Sequence, residues 1–431
     1  MKTYDIISLG CPKNLVDSEV FAHLLEQAGY EESQTEFTEL VLINTCAFLQ
    51  SALKEFDEIL ASVAETKAKG LVGKIIVSGC VMNRAVEDFR DIYPEVDLWL
   101  PLKDFSAFAK YLGIPATDKV SRTELEPAPY TYLRISDGCN NRCSYCAIPS
   151  IRGCLKSQKI EDLVAEAKAL EQRGVKELVL IAQDTCSYGL DIYGKKMLPA
   201  LIAALIKECN YQWYRIMYMH PDNFELEWLE LYRTYPKLLP YFEIPVQHFS
   251  EPILQAMNRK TNGKKLIDLF ASIRKELPQA VFRTTLICGF PGESPKDFSV
   301  LKQGLIDVKP IYGGAFAFSS EPGTPAHNMA KSPTPQTAKK RSREIEHLFM
   351  TLSEAQLQSY VGKQLMVLVE DDSDDGETVG RAWFQAPEID GYVIANGDNL
   401  TLGDMILVEI EDAIGNDLYG SVVTKNRKQK I

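Results

Sequence analysis

Asp137-Gly-Cys-Asn-Asn-Arg-Cys-Ser-Tyr-Cys-Ala147 puts Cys139, Cys143 and Cys146 on one short run, with three residues and then two between them. Thiols at this spacing share one tight loop and can ligate three irons of a 4Fe-4S cluster, leaving the fourth iron without a protein ligand. A cluster with an open corner binds an outside molecule directly, whereas four cysteine ligands usually make a cluster that only passes electrons. The apolar stretch at 132–135, just upstream, predicts a strand, so the loop follows a strand's C-terminal end.

Outward from this loop the pattern is regular. Strands are predicted at 132–135, 177–181, 213–217, 241–246, 281–287 and 313–318. Helices are predicted at 160–173, 198–209, 226–234, 253–258 with 265–275, and 296–308. Six β/α units, fewer than the eight of a closed barrel, predict an open or partial (β/α)6 TIM-like barrel whose site lies at the C-terminal ends of its strands. Gln183 and Asp184 follow the second of these strands, and Gly289-Phe-Pro-Gly-Glu293 follows the fifth. For Gly289 and Gly292 a turn that needs glycine explains the residues equally well. His220 and His248 also end strands, where a lone histidine is more often a hydrogen-bonded structural residue. Arg152 could neutralise carboxylate or cluster charge, or lie in solvent. Cys154, Cys186, Cys209 and Cys288 lack partners at ligand spacing and are expected to be buried, apolar-like side chains.

The N-terminal part predicts a parallel α/β sheet, with strands at 5–9, 40–44 and 74–78. A helix at 16–28 carries Val20, Leu24, Leu25 and Ala28 on one face and stops at Gly29. Cys11, Cys46 and Cys80 each fall two residues past one of these strands, and the C-terminal edge of a parallel sheet is where open α/β folds bind ligands. Three thiols from distant loops can therefore converge as a second three-ligand set; the alternative is three separately buried cysteines. A linker at 114–130 divides this part from the barrel. Pro322, Pro325, Pro333 and Pro335 precede a polar helix at 336–360, and β-rich runs at 365–370, 378–384, 392–395, 405–410 and 418–424 predict a small C-terminal β-barrel. The domains are placed at 1–116, 125–357 and 360–427.

Composition bounds the rest. The 431 residues are 45% apolar and 25% charged, enough for several cores. The N-terminal apolar stretch is too short for a signal peptide, and no stretch is long enough to cross a bilayer, so a cytoplasmic protein without a membrane partner is expected. Ten cysteines over this length are not a disulfide framework. The net charge is -12, and from Lys363 onward there are fourteen acids against six bases. That balance argues against wrapping a nucleic acid, which needs a basic face. Asp371, Asp372, Asp374 and Asp375 suit either a solvated turn or a surface for a basic partner.

The run at 139–146 resembles the signature of radical S-adenosylmethionine enzymes. With Cys11, Cys46, Cys80 and a terminal barrel resembling a TRAM domain, the resemblance spans essentially the whole chain and is to the methylthiotransferases. Ser8-Leu-Gly-Cys-Pro-Lys-Asn-Leu-Val-Asp-Ser-Glu19, the run at 137–153 and Ala386-Pro-Glu-Ile-Asp-Gly391 are similar to the branch that modifies a ribosomal protein. The resemblance implies two 4Fe-4S clusters, on Cys139, Cys143 and Cys146 and on Cys11, Cys46 and Cys80, with S-adenosylmethionine contacted by Gln183, Asp184, Gly289 and Gly292. It implies methylthiolation of the β-carbon of an aspartate in small-subunit ribosomal protein S-twelve, a basic protein partner, an electron donor such as flavodoxin or ferredoxin, and no direct nucleic-acid contact. Ala47 stands where this family commonly has Gly, and Glu243 where it has Asp. The competing readings are a tRNA adenosine methylthiotransferase and an iron-sulfur electron carrier without catalysis.

Overall fold

The computed structural model describes residues 2–115, 121–329, 333–372, 377–397 and 400–423. The predicted domain ends at 116 and 427, residue 424 of the last predicted strand, and Asp374 and Asp375 lie outside the described residues. Two compact units make up the chain: Met1–Pro127 with Asp137–Lys156 and Ser319–His327, and Ala128–Ser136 with Ser157–Phe318 and Asn328–Ile431.

In the first unit, β1 (Lys2–Ser8), β2 (Tyr30–Glu32), β3 (Thr38–Thr45), β4 (Val72–Gly79) and β5 (Leu98–Trp99) form a sheet in the order β2-β1-β3-β4-β5. Every pairing is parallel. Parallel strands are covered on both faces, so their side chains alternate between two apolar layers rather than between oil and water. Leu40, Leu42 and Ile76 cluster with Phe21, Leu24 and Leu25 of α1 (Pro12–Gln27). Val41, Ile43, Ile75 and Val77 cluster on the other side with Phe56 and Leu60 of α2 (Gln50–Ala68). A short α3 (Val86–Arg90) and α4 (Phe105–Leu112) follow, and α5 (Ile148–Arg152) brings Ile151 into the same core as Val77.

Two expectations need correction here. The sheet has two further strands, β2 and β5, which at three and two residues are too short to show a period. The first helix begins at Pro12, four residues before the predicted start, because Pro at the first helical position loses no hydrogen bond. Its first turns are polar yet buried: Asn14, Asp17 and Ser18 are at most 1% exposed. No apolar periodicity could have marked them.

In the second unit, β6 (Tyr130–Arg134), β7 (Glu177–Ile181) and β8 (Trp213–Ile216) form one parallel ladder, and β9 (Tyr241–Glu243), β10 (Val281–Cys288) and β11 (Tyr312–Ala317) another. The ladders adjoin through Leu239 N–H to Tyr214 O at 2.9 Å and Met219 N–H to Glu243 O at 3.0 Å, which completes a partial six-stranded barrel. Its helices are α6 (Ile160–Glu171), α7 (Leu190–Tyr193), α8 (Leu198–Glu208), α9 (Leu229–Thr234), α10 (Glu251–Ala256), α11 (Gly263–Glu276) and α12 (Pro295–Val308), with α13 (Pro335–Leu357) after the last strand. The strand predicted at 241–246 stops at Glu243, since Pro245 has no N–H to donate to a ladder.

The C-terminal strands β12 (Gln364–Asp372), β13 (Glu377–Ala382), β14 (Val393–Asn396), β15 (Met405–Ile414) and β16 (Asp417–Val422) close into a barrel in the order β12-β13-β14-β16-β15. The strand predicted through 384 ends at Ala382, whose carbonyl accepts from Gln385 N–H at 3.0 Å to make a turn. This small barrel seats on the N-terminal ends of the larger one. Tyr130 and Tyr132 of β6 both donate to Glu388 at 3.0 Å, and Tyr241, the first residue of β9, donates to Asp390 at 2.8 Å. The C-terminal strand ends, where a barrel of this type binds its ligands, are left to other residues.

Candidate functional site

The chemistry of the first unit gathers at the C-terminal edge of its sheet. Cys11 caps the N-terminus of α1, Cys46 follows β3 directly and Cys80 follows β4 directly. The actual strand ends at Ser8, Thr45 and Gly79 shift the predicted spacing of two residues but keep all three thiols at one edge. With the order β2-β1-β3, Cys11 and Cys46 flank the point where chain direction around the sheet reverses, the usual ligand crevice of such folds.

Two glycines allow this convergence. Gly10 has φ +97°, and a Cβ there would lie 2.6 Å from Cys46 Cβ and 3.0 Å from its Sγ. Gly79 has φ +100°, and its Cβ would lie 2.4 Å from Thr45 N. Only glycine permits both the backbone and the approach. Asn14 then ties the loops together. Its Nδ2 donates to Leu9 O at 2.7 Å and Thr45 O at 2.8 Å, while its Oδ1 lies 3.9 Å from the Cys80 Sγ donor. Asn44 Nδ2 returns the bond to Asn14 O at 2.8 Å and holds Ser18 Oγ at 2.8 Å. Arg84 donates to the carbonyls of Ala47 and Phe48, just past Cys46, and pairs with buried Glu321.

The Cys139 loop belongs to the same unit. Gly138, φ +68°, passes so close to Cys154 O that a Cβ would lie at 2.1 Å, and Cys139 N–H donates to Gly153 O at 3.1 Å. Cys146 N–H closes a turn onto Cys143 O at 3.1 Å. Beyond the turn, α5 is anchored by Asn83 Nδ2 donating to Ile151 O at 2.7 Å, and it ends on Arg152.

Arg152 is not in solvent. Its side chain is 2% exposed and donates to Asn14 Oδ1 at 2.5 Å and Asp137 Oδ1 at 3.2 Å, with Asp17 Oδ2 at 3.4 Å. Burial works against its charge, but Cys80, Asp17, Asp137 and Cys11 together outweigh that and hold the guanidinium above its ordinary pKa. Burial pushes the Cys80 thiol up to about 11 against the pull of Arg152, and pushes Cys46 up as well.

Three thiols beside a fixed cation are donors of the soft kind that an iron-sulfur cluster takes. Among the described residues no three His, Cys, Asp or Glu side chains are placed to hold a single metal ion. A four-iron cluster asks for something else, since each thiolate bonds its own iron and the sulfurs stand a cluster's breadth apart. Cys11, Cys46 and Cys80 come from three loops and lie close enough for their charges to act on one another.

At the mouth of the second unit's barrel the sequence candidates are partly structural. Asp184 is 2% exposed and both its oxygens serve a turn: Oδ1 accepts from Cys186 N–H at 3.1 Å, and Oδ2 from Ser187 Oγ and Asn223 Nδ2 at 2.6 Å each. Gln183, beside it, is half-buried. Gly289, φ +77°, could carry no Cβ, which would meet Ala338 of α13 at 2.2 Å; Gly292, φ +89°, has open space around it. The loop between them is closed by fully buried Glu293, which accepts from Gly289 N–H at 2.6 Å and Arg341 NH1 at 2.6 Å. His248 accepts Ser250 N–H on Nδ1 at 2.8 Å, which leaves its Nε2 as the N–H, facing Glu293 at 3.7 Å. His220 sits against Arg259. Glu243 holds Tyr218, a non-glycine residue at φ +60°, by accepting its N–H at 2.9 Å.

Of the other thiols, Cys186, Cys209 and Cys288 are buried, but Cys154 is exposed, contrary to expectation. It follows Gly153 in the turn that leaves α5, outside any apolar layer. Arg84 and Arg341 carried no signal in the sequence, and Glu293 was quoted only as the last residue of the glycine-bearing run. Asn14 and Asp17 lay within a quoted motif whose polar spacing hid their burial.

Comparison with known proteins agrees with this arrangement. Residues 133–303 match the radical SAM superfamily, residues 3–101 a family described as uncharacterized protein family UPF0004, and residues 361–423 the TRAM domain. The chain is similar to proteins named ribosomal protein uS12 methylthiotransferase RimO. Those from Thermotoga maritima and Clostridioides difficile are 39% and 36% identical, each alignment covering 96% of this chain and 98% of the relative. That from Bdellovibrio bacteriovorus is 36% identical, covering 99% and 98%. Among solved structures, the radical S-adenosylmethionine methyltransferase TsrM from Kitasatospora setae, with cobalamin and a [4Fe-4S] cluster bound, shares the fold at TM-score 0.54 and 13% identity, over 76% of this chain and 77% of that one. The cobalamin-dependent radical enzyme OxsB does so at 0.52 and 12%, over 80% and 56%.

Proposed function

The chain belongs to the RimO family of ribosomal protein uS12 methylthiotransferases, and from that premise we propose that Cys139, Cys143 and Cys146 hold one 4Fe-4S cluster and Cys11, Cys46 and Cys80 a second. It is a radical SAM enzyme that transfers a methylthio group to the small-subunit ribosomal protein. The target is the β-carbon of an aspartate. A β C–H there is too weak an acid for any side-chain base, and His220, its pKa pushed down to about 2 by burial and Arg259, is no exception. The clusters and S-adenosylmethionine, when bound, supply the hydrogen-atom abstraction and the sulfur and methyl chemistry.

The chain's own residues ligate, orient and shape. The observation that carries the reading is the convergence of Cys11, Cys46 and Cys80 from three separate loops at one sheet edge. Gln183, Asp184, Gly289 and Gly292 stand at C-terminal strand ends of the barrel, and we assign them to S-adenosylmethionine. Asp184 and Gly289 act there by setting the loops, since the first spends its oxygens on a turn and the second is packed against α13.

A basic partner suits the acidic C-terminal segment, fourteen acids against six bases. An electron donor of the flavodoxin or ferredoxin type, acting in the cytoplasm, completes the reading. Among the described residues no helix is long and apolar enough to cross a membrane.

Iron and sulfide counting on anaerobically reconstituted protein tests the ligands. Cys11→Ala/Cys46→Ala/Cys80→Ala and Cys139→Ala/Cys143→Ala/Cys146→Ala should each lose about half the iron. Only the second should lose formation of 5′-deoxyadenosine under a strong reductant. Mass spectrometry of uS12 from a deletion strain tests the substrate: an aspartate still carrying its methylthio group there would exclude it.

A further inference from the structure

We propose that Arg152 is a positioning residue for the cluster on Cys11, Cys46 and Cys80, supplying the buried positive charge that sets its reduction potential. This deepens the ligand assignment above and rests on it. Three thiolates around a four-iron core make a net anion, and a buried anion is costly without a fixed counter-charge. Within the first unit Arg152 meets that need. Its side chain is 2% exposed, and Asn14 Oδ1 at 2.5 Å orients it. That same Asn14 holds the loops of Cys11 and Cys46 and lies 3.9 Å from Cys80 Sγ. It also contacts the carboxylates Asp17 at 3.4 Å and Asp137 at 3.2 Å, and Asp137 pairs with Lys103.

The origin of Arg152 matters as much as its end point. It closes α5, six residues past Cys146, so the segment that carries one cysteine triplet reaches into the other. Cluster potential follows net charge and hydrogen bonding around the sulfurs. Removing a nearby cation makes electron gain harder, and removing a nearby anion makes it easier.

The measurement is a redox titration followed by electron paramagnetic resonance, in full-length Cys139→Ala/Cys143→Ala/Cys146→Ala protein so that the second cluster is read alone. Arg152→Gln should move its midpoint to a more negative potential, and Arg152→Lys should restore most of the difference. Asp17→Asn should move it the opposite way, a sign that a merely loosened fold would not produce. An unchanged midpoint in Arg152→Gln, or shifts of one sign in both Arg152→Gln and Asp17→Asn, would overturn the role of Arg152 while leaving the ligands intact. If the background protein holds no iron, the ligand assignment itself fails and this role with it.

Discussion

At the residue scale, the site rests on three thiols and on the side chains that hold their loops. Cys11, Cys46 and Cys80 could be found because each follows a strand, and parallel strands end on one side of a sheet. Arg152 stood out as a possible neutraliser of charge, but nothing nearby in the chain chose between that and solvent, since its partners Asn14 and Asp17 are 138 and 135 positions away. Gly10 is the tightest point. Gly10→Ala faces both a left-handed φ and a 2.6 Å approach to Cys46 Cβ, so it should cost about 1–3 kcal/mol and displace Cys46. A lower thermal midpoint together with loss of roughly half the iron is the expected result; full iron with an unchanged melt would show that the two loops are not so close. His220 gives a pH dependence. Its folded pKa is pushed from 6.5 down to about 2, and its side chain is 12% exposed. Below pH 6.5 the unfolded chain therefore takes up a proton that the folded chain refuses. Stability from this group is complete above 6.5 and falls on acidification by at most about 1.4 kcal/mol per pH unit until about pH 2. His220→Gln should narrow the gap in urea stability between pH 7 and pH 5 by up to about 2 kcal/mol. Parallel pH profiles for wild type and variant would contradict it.

At the element scale, long periodic strands and helices were readable because burial on a fixed face writes a period into them. The misreadings have physical causes of their own. Edge strands of three and two residues, β2 and β5, are too short for any period. The N-terminal turns of α1 are buried through hydrogen bonds rather than through apolar contact. The 241–246 stretch is apolar but for Glu243 and ends its ladder there, before Pro245, and Gln247 beyond it takes φ +69°. The glycine-bearing loop after β10 was noticed for its glycines, yet its shape depends on Glu293 and on Arg341 from α13, 48 positions on. Glu293 is fully buried, so its carboxylate relies on that guanidinium. Arg341→Met keeps the packing on Phe298 but strands the charge, and should cost about 3–5 kcal/mol. The same variant frees the Gly289 loop from α13, so faster amide exchange there should accompany the lower urea midpoint. A midpoint within 1 kcal/mol of wild type, by the same reckoning, would mean that water or another group satisfies Glu293.

For the molecule as a whole, charge does a job that hydrophobic patterning cannot announce, because it joins residues two hundred positions apart. In the second unit, Glu177 at the start of β7 takes Arg215 Nε at 2.6 Å and Arg381 NH2 at 2.7 Å, and Arg381 Nε also donates to Glu370 at 2.6 Å. Glu177, Arg215 and Arg381 have no exposed side-chain surface. Burial alone would raise the Glu177 carboxyl, yet the two guanidiniums hold it below its ordinary pKa; Glu370, with burial opposed mainly by Arg381, is raised. The motif at 386–391 works beside this cluster, with Glu388 accepting from Tyr130 and Tyr132, and Asp390 from Tyr241 and Arg283. Both carboxylates are thus spent on fastening the small barrel to the large one. Such a joint predicts that the two barrels unfold together. Arg381→Met leaves Glu177 with one guanidinium and Glu370 with none, at a cost of about 3–5 kcal/mol. Because that loss falls across the seam, the single transition of the wild type should split in two, with the C-terminal strands becoming protease-sensitive before the larger barrel melts. Arg381→Lys should recover part of the stability but not the cooperativity, since an ammonium cannot hold Glu177, Glu370 and the Gln385 carbonyl in one plane. Calorimetry with limited proteolysis decides it: one transition in Arg381→Met, at a wild-type midpoint, would show that apolar packing and the Glu388 and Asp390 contacts hold the barrels together without the buried charges.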